Sequence, residues 1–256
     1  MGTADWLPDG FTVQRIATND TRLSVAVGGS GPVLVLLHGW PQTSRAWARV
    51  LPALARTHTV VAPDLRGTGA SDRPVDGYAK TNQADDIRGV LKALHLRGPV
   101  AVAGHDIGSM VALAWAAAHP EDVSHLVLID ALLPGLGLEE AMNVAEGGMW
   151  HFGFFMAEHV PEMLFDGHEL EFFTATFTAM SNPGTFTDED LAAYARAYSG
   201  RHGADPLPEA WATRSVRPHA AAPSATTAAP ATRPRPELRH RGRLSADLGA
   251  GRPGRL

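Results

Sequence analysis

The apolar residues of the first 135 positions gather in short solid runs, and this constrains the fold more than any other feature. Val33 to Leu37, Thr59 to Ala62, Pro99 to Ala103 and Ser124 to Ile129 are each about as long as a strand, with almost no polar interruption. A strand apolar at successive positions has to be covered on both faces. Between the runs lie stretches with helical spacing, expected as helices over Ser44 to Ala55, Gln83 to Leu94 and Met110 to Ala118. Strands that alternate with helices and are buried on both sides form a parallel sheet with helices packed on its faces. Phe11 to Ala17 and Leu23 to Val27 read as an antiparallel pair in front of it. The 256 residues suffice for one large α/β domain.

Charge divides the chain near residue 200. Residues 1–200 hold 12 Lys and Arg against 23 Asp and Glu, whereas residues 201–256 hold 10 Arg against 4 acids. An acidic folded part argues against nucleic acid as a partner. No run reaches the length of a membrane span and no signal-peptide pattern opens the chain, so a cytoplasmic protein without a membrane partner is expected. The absence of Cys excludes disulfides and thiolate chemistry. The 12 His show no metal-ligand spacing, so no metal site is expected. Nothing here sets an oligomeric state.

Three segments follow from this reading: 1–134 as an α/β core, 135–200 as a helical lid, and 201–256 as an aberrant tail. The middle segment has Phe and Leu at helical spacing over Pro161 to Met180. A capping box at Thr187-Asp188-Glu189-Asp190 starts a helix that reaches Tyr198. The last segment has no Ile, Phe, Tyr or Met, one Val, 12 Ala and 8 Pro, a composition that supports neither strands nor a packed helix. It is what a shifted frame in GC-rich DNA would encode. Resequencing around codon 200 tests this, and an unbroken frame in an independent isolate would refute it.

Gly104-His105-Asp106-Ile107-Gly108 joins the apolar run at 99–103 to the apolar helix after it. Small residues at both ends allow a sharp strand-to-helix turn that lifts the central side chain above the sheet. A carboxylate in that position can attack an sp3 carbon and form an alkyl ester. The competing reading is an Asp that merely caps the helix.

Further motifs stand in order around this turn: His38-Gly39-Trp40-Pro41, then Asp64-Leu65-Arg66-Gly67 with Gly69 and Ser71, and later Asp130 at a strand end. Over roughly residues 10–200 the chain resembles the α/β-hydrolase superfamily, and within it the Asp-nucleophile epoxide hydrolases, with their HGxP, DLRGxGxSD and GHDxG patterns. The resemblance implies an α/β-hydrolase fold with a mostly parallel sheet and a helical lid. It implies Asp106 as nucleophile, the N–H groups of Trp40 and Ile107 as the oxyanion hole, and Asp130 as the acid that orients a base histidine. His151 and Tyr194, with Tyr198 as a substitute, would be the lid groups that protonate the opening epoxide. Asp64 and Arg66 would pin a loop as an ion pair, and His38 and His105 would be structural. No cofactor is implied, and the partners would be an uncharged epoxide and water.

The same resemblance implies two more strands and a base histidine beyond residue 200. Only His202, His219 and His240 occur there, none between a strand and a helix. The expectation is a chain with its last strands missing, an open sheet edge, poor solubility and an alkyl-enzyme that hydrolyses slowly. The alternatives are a haloalkane or haloacid dehalogenase, which shares the Asp attack, and a non-catalytic hydrolase-fold binding protein. A dehalogenase of the fluoroacetate type would carry Arg directly after the nucleophile, where this chain has Ile107.

Overall fold

The computed structural model describes residues 5–155, 157 and 160–199. Six strands form one sheet: β1 (Phe11–Thr18), β2 (Thr21–Gly29), β3 (Val33–Leu37), β4 (Thr59–Pro63), β5 (Val100–His105) and β6 (Val123–Ile129), in the order β1-β2-β4-β3-β5-β6. The first pair is antiparallel, β2 runs antiparallel to β4, and the β4-β3-β5-β6 block is parallel.

The apolar runs of β3 and β4 are solid because each of these strands serves two cores. Val35 and Leu37 of β3 and Val61 of β4 face α2 (Lys80–Ala93) and α3 (Ile107–Ala118), whose Ile87, Val90, Val111 and Trp115 complete that layer. The alternate residues Leu36, Val60 and Ala62 face the opposite side, where they meet Leu51 of the short α1 (Leu51–Leu54) and Trp47. The period of two along a strand makes both faces of β3 and β4 apolar.

The expected helix over Ser44 to Ala55 is broken. A 3-10 turn at Ser44–Trp47 and α1 replace it. Pro52 is the reason: it has no N–H to donate, and its ring would strike the carbonyl of Ala48 in a continuous helix. It is accepted instead at the start of α1.

Residues 138–198 supply five further helices: α4 (Leu138–Met142), α5 (Trp150–Phe155), α6 (Val160–Phe165), α7 (Glu169–Met180) and α8 (Asp188–Tyr198). The apolar stretch from Pro161 to Met180 divides between α6 and α7, with Gly167 at φ +82° between them. The capping box forms as the sequence indicates, with Thr187 and Asp190 satisfying each other's backbone N–H groups. Phe165, Phe173, Phe177, Tyr194 and Tyr198 make a separate aromatic core, and Trp40 of the α/β layer packs against it.

Among the described residues β6 is the edge of the parallel block. Its Leu126, Val127, Leu128 and Ile129 are 36–50% exposed. The tail expected at 201–256, and with it His202, His219 and His240, lies outside the described residues.

Candidate active site

Sheet register assembles the site. Leu37 of β3 lies beside Gly104 of β5, and His105 lies beside Ile129 of β6. The segments that leave these strands, His38 to Trp40, Asp106 and Asp130, therefore emerge together at the carboxyl edge of the sheet, where open α/β folds place their ligands.

Asp106 has φ 49° and ψ −120°, an unusual conformation for a residue with a side chain. The turn closes tightly because its neighbours are small: a Cβ on Gly108 would lie 2.3 Å from the Leu37 carbonyl oxygen, and one on Gly39 would lie 2.7 Å from the Asp106 Cβ. The helix-cap reading of Asp106 does not fit, since its side chain makes no capping bond to α3. Instead the Trp40 N–H donates to Oδ2 at 2.9 Å, and the Ile107 amide acts on the carboxyl to lower its pKa. Burial pushes the Asp106 carboxyl above the usual range; these two amides, His105 and Lys80 pull the other way. The carboxyl is thus desolvated, with the Trp40 N–H on one of its oxygens and the Ile107 amide beside it.

The wall facing it is aromatic. The Trp40 indole stacks on the His151 imidazole with centroids 6.1 Å apart, and Phe155, Phe172 and Phe173 meet Trp40 edge-on at 4.7, 6.4 and 6.2 Å. Burial lowers the pKa of His151, opposed by the charge of Asp106. Of the sequence-predicted groups, Asp106, Trp40, Ile107 and His151 come together here. Asp130, exposed and with φ 45°, follows β6 at the same sheet edge.

Tyr194 goes elsewhere. Its ring packs on Phe177 and Phe186, and the residue lines a separate cavity of about 410 Å³ with Arg45, Arg49 and Asp190. Burial raises its phenol, and the charges weighing most on it are Asp190, Arg45, Arg49 and Asp64. Tyr198, one helical turn later, does feel Asp106, but its hydroxyl donates to the Gln42 carbonyl at 3.0 Å. The Asp64–Arg66 ion pair does not form either. Asp64 accepts hydrogen bonds from the Ser44 N–H and hydroxyl and from the Ala70 N–H, while Arg66 pairs with Asp86. Two residues apart on an extended segment the two side chains would share a face, but Arg66 lies in the turn that follows β4, and its guanidinium goes to Asp86 of α2 instead. His38 is buried, its Nδ1 bonded to the Gly39 carbonyl and its Nε2 accepting from the Leu65 N–H, a structural strut for both loops.

Lys80 was not singled out by sequence. Burial pushes it down to about 8, with the Asp106 charge acting against that shift. A signal was present: Lys at the first position of a helix opposes the helix dipole, and a local preference broken in this way points to a tertiary partner. His119, Glu121 and Asp122 place ligand atoms within 4.8 Å of one another, but Asp122 is already taken by Arg88 at 2.7 Å.

The model of the α/β-hydrolase fold family matches residues 32–159. The chain belongs to the α/β-hydrolase family. It is 35% identical over 204 residues to the soluble epoxide hydrolase of Corynebacterium sp. (strain C12), covering 74% of this chain and 68% of that enzyme. It is also 35% identical over 158 residues to the fluoroacetate dehalogenase of a Burkholderia species, covering 60% of this chain and 51% of that one. The ligand-free structure of the epoxide hydrolase CorEH superposes with a TM-score of 0.69 at 30% identity, covering 81% of this chain and 74% of that one. As an α/β hydrolase with epoxide hydrolase relatives, the protein is a hydrolase. Among the described residues no helix is long and apolar enough to cross a membrane.

Proposed function

We propose that this α/β hydrolase opens an uncharged epoxide by direct attack of Asp106, and the observation that carries the reading is a strained, desolvated Asp whose carboxylate receives the Trp40 N–H at 2.9 Å. The free carboxylate oxygen bonds to an epoxide carbon, the ring C–O bond breaks, and the electron pair moves to the epoxide oxygen. His151, across the aromatic wall, supplies the proton. The product is an alkyl ester of Asp106. Water adding to its carbonyl forms a tetrahedral oxyanion that the Trp40 and Ile107 amides stabilise, and collapse releases a diol. Residues 135–200 act as the lid over this site, and 1–134 as its core. Asp130, which follows β6 at the same sheet edge, is the acid we assign to orient a base histidine, and the base itself is assigned to none of the described residues. We propose further that ester hydrolysis is slower than epoxide opening, so that the alkyl-enzyme accumulates.

Intact-mass analysis after adding a reactive epoxide tests the reading: a lasting adduct of one epoxide mass on the peptide containing Asp106 is expected. A folded protein that never gains this mass sinks it. The rate of adduct formation should also report the two titrating groups. Attack needs Asp106 ionised and His151 protonated, and burial raises the first pKa and lowers the second. The rate should fall as pH rises through a value below the ordinary histidine 6.5, and fall again as pH drops through a value above the ordinary Asp 3.8. A rate that climbs between pH 7 and 9 counts against His151 as the acid.

The dehalogenase reading draws on one specific observation, the Lys80 cation that acts on Asp106 and would favour an anionic haloacid. Ile107 and Met110 stand where a carboxylate-clamping Arg would be needed. Halide release without diol formation would favour that alternative.

A further inference from the structure

We infer that Tyr198 is a positioning residue: from the helical layer it fixes the turn that aims the Trp40 amide at Asp106. The inference rests on the reading of Asp106 as nucleophile. Residues Gly39 to Gln42 form a tight turn closed by the Gln42 N–H to the Gly39 carbonyl at 2.9 Å. Trp40 sits inside that turn, so its N–H direction follows the turn as a body. From the sheet side, His38 holds the Gly39 carbonyl and Asp64 holds Ser44 just beyond. From the helical side, the Tyr198 hydroxyl holds the Gln42 carbonyl at 3.0 Å.

The donor is itself well fixed. Tyr198 is 4% exposed and packs against Phe173, which in turn meets the Trp40 ring. Helix α8 is tied to the α/β layer at both ends. Arg45 bonds Asp190 at 3.0 and 3.2 Å near its start, and Arg73 bonds the carbonyls of Ala197 and Ser199 at its end. Both anchors also match the helix dipole, acids at the start facing one cation and terminal carbonyls facing another. Burial keeps the Tyr198 phenol protonated across the working range, so it remains a donor. A hydrogen bond delivered from a helix held at both ends converts docking of that helix into alignment of a catalytic amide.

Tyr198→Phe removes this bond and keeps the ring that packs on Phe173. Two readouts on the full chain test the proposal. The first is the first-order loss of the Asp106 adduct after excess epoxide is removed. Deleting an oxyanion donor outright costs about a hundredfold or more, and turning one out of line should slow adduct loss about tenfold, with the epoxide concentration for half-maximal labelling unchanged. The second is the backbone amide of Trp40 in 15N-tryptophan-labelled protein, assigned by its loss in Trp40→Phe. Its cross-peak should move more than that of any other tryptophan. A Trp40 peak that stays in place, or an adduct loss within twofold of the unsubstituted chain, overturns the proposal. So does an equal slowing in Arg45→Gln, which loosens the other end of α8 without touching Gln42. If no adduct forms on the unsubstituted chain, the nucleophile reading fails, and the Trp40 peak still decides whether Tyr198 sets the turn.

Discussion

Asp106→Asn should lose the epoxide adduct almost entirely, with a labelling rate lowered on the order of a thousandfold or more, while the protein stays folded. The two side chains have the same shape, and the Asn carbonyl oxygen can still accept the Trp40 N–H that now reaches Oδ2 at 2.9 Å. What changes is the nucleophile, since an amide oxygen lacks the negative charge that attacks carbon. Stability should move the other way. The folded state raises the Asp106 pKa through burial, so the ionised form is what the fold tolerates poorly. That penalty is present above the folded-state pKa and vanishes below the unfolded one, so at neutral pH the Asn variant should melt no lower than the parent. The check is paired intact-mass kinetics and thermal melts. A folded Asn variant that still labels at a tenth of the parental rate would remove Asp106 from the mechanism.

Asp86→Ala should destabilise the protein by about 3–5 kcal/mol, the second large effect. Asp86 is 1% exposed on its side chain and Arg66 4%; they meet through two bonds of 2.7 and 2.8 Å. Asp86 also accepts from Asn19 at the β1–β2 turn, and its backbone carbonyl accepts from the Thr18 hydroxyl. One residue of α2 thereby joins the first hairpin to the loop after β4. Burial raises the Asp86 carboxyl even against the pull of Arg66, and Asp86 raises Arg66 against its own burial. Desolvation opposes the attraction within such a buried pair, so replacing both partners costs less than removing one, which leaves a buried charge unmatched. Arg66→Met combined with Asp86→Leu should therefore cost clearly less than Asp86→Ala alone. Urea unfolding of the three variants decides the point, and a double variant less stable than the single one would refute it.

The elements most legible in sequence were those governed by local rules. The strands at 33–37 and 59–63 follow from runs that must be buried on both faces, and the run at 123–129 also forms a strand, though among the described residues it stays largely exposed. The capping box at Thr187 follows from side chains that can reach only their own helix end. The turn at Asp106 was legible because glycines at fixed offsets have few other uses there, although only the structure showed that the side chain does not cap the helix.

Partnerships across long stretches of chain were not legible. Arg66 was assigned to its neighbour Asp64 and in fact binds Asp86, because side-chain direction is set by strand twist and helix placement, not by separation along the chain. Tyr194 and Tyr198 lie on one face of the same helix, yet the rise of a single turn brings one to Phe177 and Phe186 and the other to Phe173 and Gln42. Lys80 acts on Asp106 only because α2 begins at the same edge of the sheet.

The amino-acid sequence alone determined the layered parallel architecture and the glycine-bounded turn that carries Asp106, since burial periodicity and such turns are local properties. The tertiary structure alone decided which amides, rings and charges surround that carboxylate, since register and helix docking bring together groups that no local rule connects.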